Sequence, residues 1–364
     1  MKRLFSTSVF LTSFVLTSSC STRPPPDFAP DPGLVARIRE IQMSTAPEAC
    51  PGQTFAAHYH AILDDGTRLR FDSEYDEDRP PKLHVSFLER TSPDADALRD
   101  GGWRAESDPV RSVSTGFRLT ATLRANPALS ASASLEPRYG CLDRSFDFEG
   151  GFGVDGSAGG DGPDVTVRLA ILRSPFYQRL LVAAIEVGVA PTRYVLADAG
   201  TVPPREWLTV ESSGGRGGTG REGRKGQAGV DGASGCPGGD GGPGGAGGPG
   251  GPGGPGGRGG RITIIAPAEE PFIAGLVEGH TPGGEGGEGG RGGAGGPGGE
   301  GGAGTVEGDR RCANGRDGPG GSPGPKGQRG LDGIDGPRPR VITVPMREVL
   351  GAHLPRELAE LLGR

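Results

Sequence analysis

Gly238-Gly239-Asp240-Gly241-Gly242-Pro243-Gly244-Gly245-Ala246 opens a run that keeps glycine at every third position as far as Arg261. The same period holds in four tracts, 150–164, 214–261, 283–306 and 315–338. A three-residue period suits neither an α-helix nor a β-strand. It suits the left-handed polyproline II helix, in which every third side chain lies on one edge, and glycine on that edge lets neighbouring backbones approach closely enough to bond. A second glycine per triplet frees a second edge, so Gly-Gly-X suits a segment packed between two neighbours. In a collagen triple helix the second glycine would only add conformational entropy to be lost on folding.

Divided after Pro237, the long tract supplies two segments and the last two tracts supply two more, each about 75 Å long at the polyproline II rise. Segments 214–237 and 315–338 are poor in Gly-Gly-X and are expected at the edges of a bundle; 238–261 and 283–306 are rich in it and are expected inside. Run up, down, up and down, these segments bring Cys236 and Cys312 to the same end, where a disulfide would clamp the tip. A monomeric bundle is the expectation, and an intermolecular collagen-like trimer the alternative.

Of the 364 residues 71 are glycine, with 33% hydrophobic and 5% aromatic residues. Such a chain cannot sustain one core along its length, so a conventional core is assigned to the glycine-poor region 50–211, interrupted by the short tract 150–164. Phe55, Ala57, Tyr59, Ala61 and Leu63 alternate with other residues, as do Leu83, Val85 and Phe87, and Phe117, Leu119, Ala121 and Leu123. Alternation is the period of a half-buried strand, and Asp65-Gly66 is a hairpin signal. The expected fold is mainly β: an antiparallel β-sandwich-like domain joined to a glycine-rich polyproline II bundle. A net charge of −6 with mixed signs argues against a nucleic-acid partner.

Three tracts run directly into β-branched stretches, Val165-Thr166-Val167, Ile262-Thr263-Ile264-Ile265 and Val341-Ile342-Thr343-Val344, and Leu208-Thr209-Val210 precedes the longest. The chain is therefore expected to leave a sheet, make a polyproline II excursion and return. Region 262–282 reads as strand and connector. Region 339–364 reads as a strand followed by one short amphipathic helix carrying Val349, Leu350, Leu354, Leu358, Leu361 and Leu362, docked on the protein's own sheet.

Residues 1–19 read as a targeting segment: Lys2 and Arg3 precede an apolar stretch from Leu4 to Leu16, too short to span a membrane. Thr17-Ser18-Ser19-Cys20 resembles a bacterial lipobox, with small residues before a cysteine. That resemblance implies diacylation of Cys20, a membrane partner through the lipid, and an outer-membrane or cell-surface location. Region 20–49, with Pro24, Pro25, Pro26, Pro30 and Pro32, reads as an extended tether. Four further cysteines, Cys50, Cys141, Cys236 and Cys312, are expected in disulfides, since an exported chain folds under oxidising conditions.

Triplets such as Gly324-Pro325-Lys326 and Gly327-Gln328-Arg329 resemble bacterial collagen-like repeat proteins, whereas the Gly-Gly-X tracts are similar to glycine-rich polyproline II bundle proteins. The first resemblance implies structural or adhesive work outside the cell. Catalytic signatures are thin. His58 and His60 share a strand face without an evident acidic or thiol partner, and Gly159-Gly160-Asp161-Gly162-Pro163-Asp164 matches only the start of a calcium-binding nonapeptide, in a single copy with Thr166 where a large apolar residue belongs. Neither carries an assignment, and no cofactor, metal or enzymatic activity is expected. The function expected is a non-enzymatic, lipid-anchored surface protein with a stiff glycine-rich projection; the alternative is a surface module that binds a polysaccharide or a partner protein.

Overall fold

The computed structural model describes residues 23–202, 207–351 and 354–362, so Cys20 and the targeting segment lie outside the described residues. The protein is mainly β. Its chain divides into two compact units, the first built from 1–107 and 116–137, the second from 108–115 and 138–364. The glycine-poor region 50–211 is thus shared between two units rather than forming one sandwich.

In the first unit, helix α1 (Pro32–Arg37) leads into strands β1 (Ile38–Thr45), β2 (Thr54–Phe55), β3 (Ala57–Leu63), β4 (Arg68–Arg70), β5 (Leu88–Thr91), β6 (Ala95–Ala97), β7 (Trp103–Ala105), β8 (Phe117–Leu123) and β9 (Ser130–Pro137). They form sheets of order β1-β3-β4, β2-β7-β6 and β9-β8-β5, the last extended by a short parallel pairing with Glu48–Ala49. Strand β1 lies antiparallel to β3, with Ile41 opposite Ala61 and Met43 opposite Tyr59.

Two expectations change here. The stretch read as a tether, 20–49, contains both α1 and β1: a register irregularity between Ile38 and Glu40 lets Ile38 and Ile41 both join a core with Tyr59, Ala61 and Phe71. The stretch Val85–Phe87 is a 3-10 turn rather than a strand. Its N-cap His84 accepts a hydrogen bond from Ser86 N at 3.1 Å, while Val85 and Phe87 are buried in either case. Alternation in β8 holds, with Phe117, Leu119, Ala121 and Leu123 all buried.

The second unit contains β10 (Ser145–Glu149), β11 (Asp164–Leu172), β12 (Leu180–Val187), β13 (Arg193–Asp198), β14 (Leu208–Ser213), β15 (Arg261–Pro267), β16 (Val277–His280) and β17 (Arg340–Val344), with helices α2 (Met346–Val349) and α3 (Arg356–Leu362). One sheet has the order β13-β12-β11-β15-β17 and the other the order β10-β14-β16. The antiparallel pairing expected holds in the three sheets of the first unit, apart from the Glu48–Ala49 pairing, and across β11-β12-β13. The β10-β14-β16 sheet, by contrast, is wholly parallel, and the larger sheet is parallel across β11-β15-β17.

Between the sheets lies a core of Val165, Val167, Leu169, Leu181, Ala183, Ile185, Trp207, Val210, Ile262 and Ile264. The other face of the larger sheet buries Leu180, Val182 and Ala184 under Val349, Leu350, Leu358 and Leu361. Strand β12 is therefore covered on both sides, which is why its sequence is a continuous apolar run rather than an alternating one. The C-terminal apolar residues dock on the sheet as two helical pieces instead of one.

Candidate functional surface: a two-layered slab continuous with the sheets

Each strand of the small parallel sheet leads into a glycine excursion, and each excursion returns through a parallel strand of the large sheet. Strand β10 leads through 150–163 to β11, β14 through 214–260 to β15, and β16 through 281–339 to β17. The excursions contain six extended segments outside helix and sheet: I (150–154), II (157–163), III (214–235), IV (238–260), V (283–303) and VI (315–336).

Hydrogen bonds fix how the six lie. From Gly214 to Gly235, the first glycine N–H of each triplet of segment III donates to the carbonyl of a residue in V or just before it, beginning at Pro282 and ending at Ala303, at 2.8–3.1 Å. Both chains advance together, so III and V are parallel, and IV and VI are bonded in the same way from Gly238→Ala313 to Gly259→Ile334. The second glycines of IV, from Gly239 to Gly257, donate to III in the opposite sense, from Ala233 back to Gly215. V bonds antiparallel to IV, and VI to V. Segment I lies parallel to III through Gly153→Arg216, and II lies parallel to IV through Gly159→Pro255. The result is two layers, I-III-V and II-IV-VI, held together by antiparallel bonds.

The first layer prolongs the small sheet without slipping a residue. Glu211 faces His280 within the sheet, and Gly235 still faces Gly304 at the far end of III. The bond period of three residues is the one a polyproline II edge provides. Glycine is required sterically: a Cβ at Gly247, Gly250 or Gly253 would collide with the carbonyl oxygens of Gly293, Gly290 or Gly287. Past the short segments, III and VI each have two neighbours, while IV and V each have three. The edge and inner places expected from Gly-Gly-X content are those observed there. Nearer the sheets, III is covered by the tight hairpin of I and II, which turns at Asp155 (φ 50°) and Gly156 (φ 79°). The sequence did not disclose that turn, because Val154-Asp155-Gly156-Ser157 keeps the triplet period through it.

Cys236 and Cys312 form a disulfide at the far end, with Cα atoms 5.2 Å apart. Cys50 and Cys141 are disulfide-bonded as well. Disulfides persist in oxidising compartments, so this is an exported protein. Among the described residues no helix is long and apolar enough to cross a membrane.

The two outer faces of the slab differ. The III-V face carries charges of both signs, including Glu222, Lys225, Glu288 and Arg291, with Arg216 4.0 Å from Glu285. The IV-VI face carries Pro243, Ala246, Pro249, Pro252 and Pro255 on one segment and Pro319, Ser322, Pro325, Gln328 and Leu331 on the other, all exposed. Along the V-VI edge, aspartates of VI turn back to cap free glycine donors: Asp317 accepts from Gly301, Asp332 from Gly286 and Asp335 from Gly283, at 2.8–2.9 Å. Lys326 bonds Glu288 at 2.8 Å on the same edge, and that contact is the leading reason the Glu288 carboxyl is held below its usual range.

The remaining sequence candidates do not converge. His58 is exposed on β3, while His60 Nδ1 lies 3.2 Å from Arg68 Nη2, and burial with nearby cations lowers its pKa. Asp161 accepts from Arg258 N at 2.9 Å, and Asp164 lies 3.5 Å from Arg261. Among the described residues no group of three or more His, Cys, Asp or Glu is placed to hold a metal. Compared with protein-family models, curated proteins and solved structures, the chain gives no match.

Proposed function

We propose that this is a non-enzymatic surface protein, anchored by lipid on Cys20, whose glycine-rich slab serves as a stiff structural or adhesive element. The observation that carries the reading is the unbroken register from Glu211–His280 to Gly235–Gly304. Bending such a slab would break bonds in both layers at once, so its backbone resists flexing without an apolar core. At least one backbone N–H of every triplet in III, V and VI, and two in IV, bond inside the slab, and the side chains stand outward on flat faces. That arrangement supports contact over an area better than chemistry at a point. The middle of the IV-VI face, Pro243 to Pro255 beside Pro319 to Leu331 with the charged residues Asp240, Arg258 and Arg316 only at its ends, is the surface best suited to such contact, since placing those rows against another surface strands few charges.

Fractionating cells that produce Cys20→Ala tests the anchor. The variant is expected in the soluble exported fraction, and its retention in the membrane would overturn the anchoring. Attachment of cells producing the protein without 214–338 tests the slab. Attachment and envelope strength equal to those of the unaltered strain would overturn the structural and adhesive role.

A further inference from the structure

The first unit contains a cleft that none of the slab's features uses. At Ala56 the chain forks: β2 joins the β2-β7-β6 sheet, while β3 joins β1-β3-β4. A cavity of about 440 Å³ opens at this fork, with Phe55 on its apolar side and Thr54, His58, Arg70, Ser73 and Asp100 as its polar side chains. This volume falls within the range of small-molecule sites. A second cavity of about 360 Å³ shares Arg70 and Ser73 with the first. The two together form a groove longer than a single small ligand needs.

Two opposite charges line the first cavity without pairing. Among the described residues the Arg70 guanidinium has no hydrogen-bond or ion-pair partner. Asp100 accepts from Gly102 N through Oδ1 at 3.0 Å, and among the described residues Oδ2 has no partner. Asp100 is held in place from behind. Trp103 Nε1 donates to Tyr59 Oη at 2.8 Å, and Tyr59 Oη donates to the Gly101 carbonyl at 3.0 Å. Arg90 donates to the Gly102 carbonyl at 3.2 Å, and Gly101 takes a φ of 91° that other residues rarely adopt. A carboxylate so fixed is preorganised, which lowers the entropy lost when a ligand binds.

A group that donates and accepts at once fits between a fixed carboxylate and a free guanidinium. A hydroxyl does both. Phe55, partly exposed at the wall, offers an apolar surface for the C–H face of a sugar ring. The adjoining cavity sets Asp72, Glu74 and Asp76 against Arg70 and Arg79, a net negative balance that disfavours an anionic ligand. We propose that this groove binds a segment of a neutral polysaccharide, with sugar hydroxyls bridging Arg70 and Asp100. Binding there depends on neither the lipid anchor nor the slab.

The test is an array of oligosaccharides probed with the full mature protein, followed by calorimetry with the strongest neutral binder. Asp100→Asn keeps the acceptor for Gly102, and Arg70→Gln removes a side chain without a protein partner, so both variants are expected to melt like the parent. Each is expected to weaken binding tenfold or more, while Lys326→Gln in the slab leaves it unchanged. Absence of neutral binders, affinity unchanged in both variants, or binding confined to carboxylated sugars and displaced by acetate would overturn the proposal. None of these outcomes would bear on Cys20 or on the slab.

Discussion

A side chain on Gly218 would place its Cβ 2.7 Å from the backbone nitrogen of Val154. One triplet further on, the equivalent residue is Arg221, exposed and 3.5 Å from Asp155. Segment III thus carries glycine at its second position where the hairpin of I and II covers it, at Gly215 and Gly218, and side chains from Arg221 onward where the cover ends. The length of the short excursion is written twice, once in its own triplets and once in its neighbour's. Gly218→Ala is therefore expected to cost about 1–3 kcal/mol, since backbone on both sides must move. Arg221→Ala, on an exposed surface, should stay within about 0.5 kcal/mol. Chemical denaturation of the two variants checks the difference, and equal losses would show that coverage does not set the residue choice.

Adjacent glycines in segment IV should differ as well. A Cβ at Gly247 would collide with the Gly293 carbonyl, whereas one at Gly248 would stand 3.2 Å from Arg224 N and 3.4 Å from Arg224 O. The first contact lies between inner segments and the second faces the less confined edge segment. Gly247→Ala is expected to lower stability by roughly 3 kcal/mol and Gly248→Ala by roughly 1 kcal/mol. Thermal melting in parallel would decide it, and a larger loss at Gly248 would contradict the layer assignment.

The Cys236–Cys312 bond closes a loop with a sequence separation of 76. In the chain-entropy account such a cross-link contributes about 4 kcal/mol. A double Cys236→Ala, Cys312→Ala variant is expected to lose stability of that order. Amide exchange should accelerate first near Gly235 and Gly238, whose bonds to Ala303 and Ala313 flank the clamp. Unaltered exchange at those amides would mean that the ladder alone holds the tip.

The slab was legible in the sequence because its constraint is local and repetitive. Every missing side chain marks a backbone contact, and the alternation of direction follows from tract length. The β-branched returns were legible too, but their destination was not. That Val165, Ile262 and Val341 would enter neighbouring parallel strands depends on register between residues far apart in the chain, Val165 with Ile262 and Ile264 with Val341, which no local pattern records. Strand β1 was hidden by the prolines before it, since Ile38 and Ile41 gain their burial from segments that follow in the chain, β3 and Phe71 among them. The fork at Ala56 left no signal at all. Arg70 and Asp100 are ordinary polar residues until the fold places them in one cleft.

The mature protein is expected to sediment as a monomer. Both edges of the slab are closed to further segments: Arg221, Arg224 and Gln227 stand where a neighbour would need glycine on one edge, and Asp317, Lys326, Arg329 and Asp332 stand there on the other. This is the charge-bearing edge by which β proteins limit lateral association. Analytical ultracentrifugation over a wide concentration range provides the check. A trimer that dissociates as the polyproline II circular dichroism signal melts would restore the collagen-like alternative.

Tyr139 supplies a pH dependence whose sign can be worked out. Burial is the main cause that raises its pKa well above the ordinary tyrosine value, with a hydrogen bond to Ser112 opposing it. In the unfolded chain the phenol ionises near pH 10, so its contribution is fully present below that pH. It is lost as the pH rises further, because the unfolded chain releases a proton that the folded one keeps. Tyr139→Phe removes the 3.2 Å contact with Ser112 Oγ and is expected to lower stability at neutral pH by about 1 kcal/mol. The same variant should lose stability less steeply than the parent above about pH 10, since it has no phenol to ionise there. Some alkaline slope will remain, because burial raises Tyr59 and Tyr194 as well. Urea unfolding at neutral pH and at two alkaline values measures both effects, and parallel pH profiles for parent and variant would show that Tyr139 is not the group responsible.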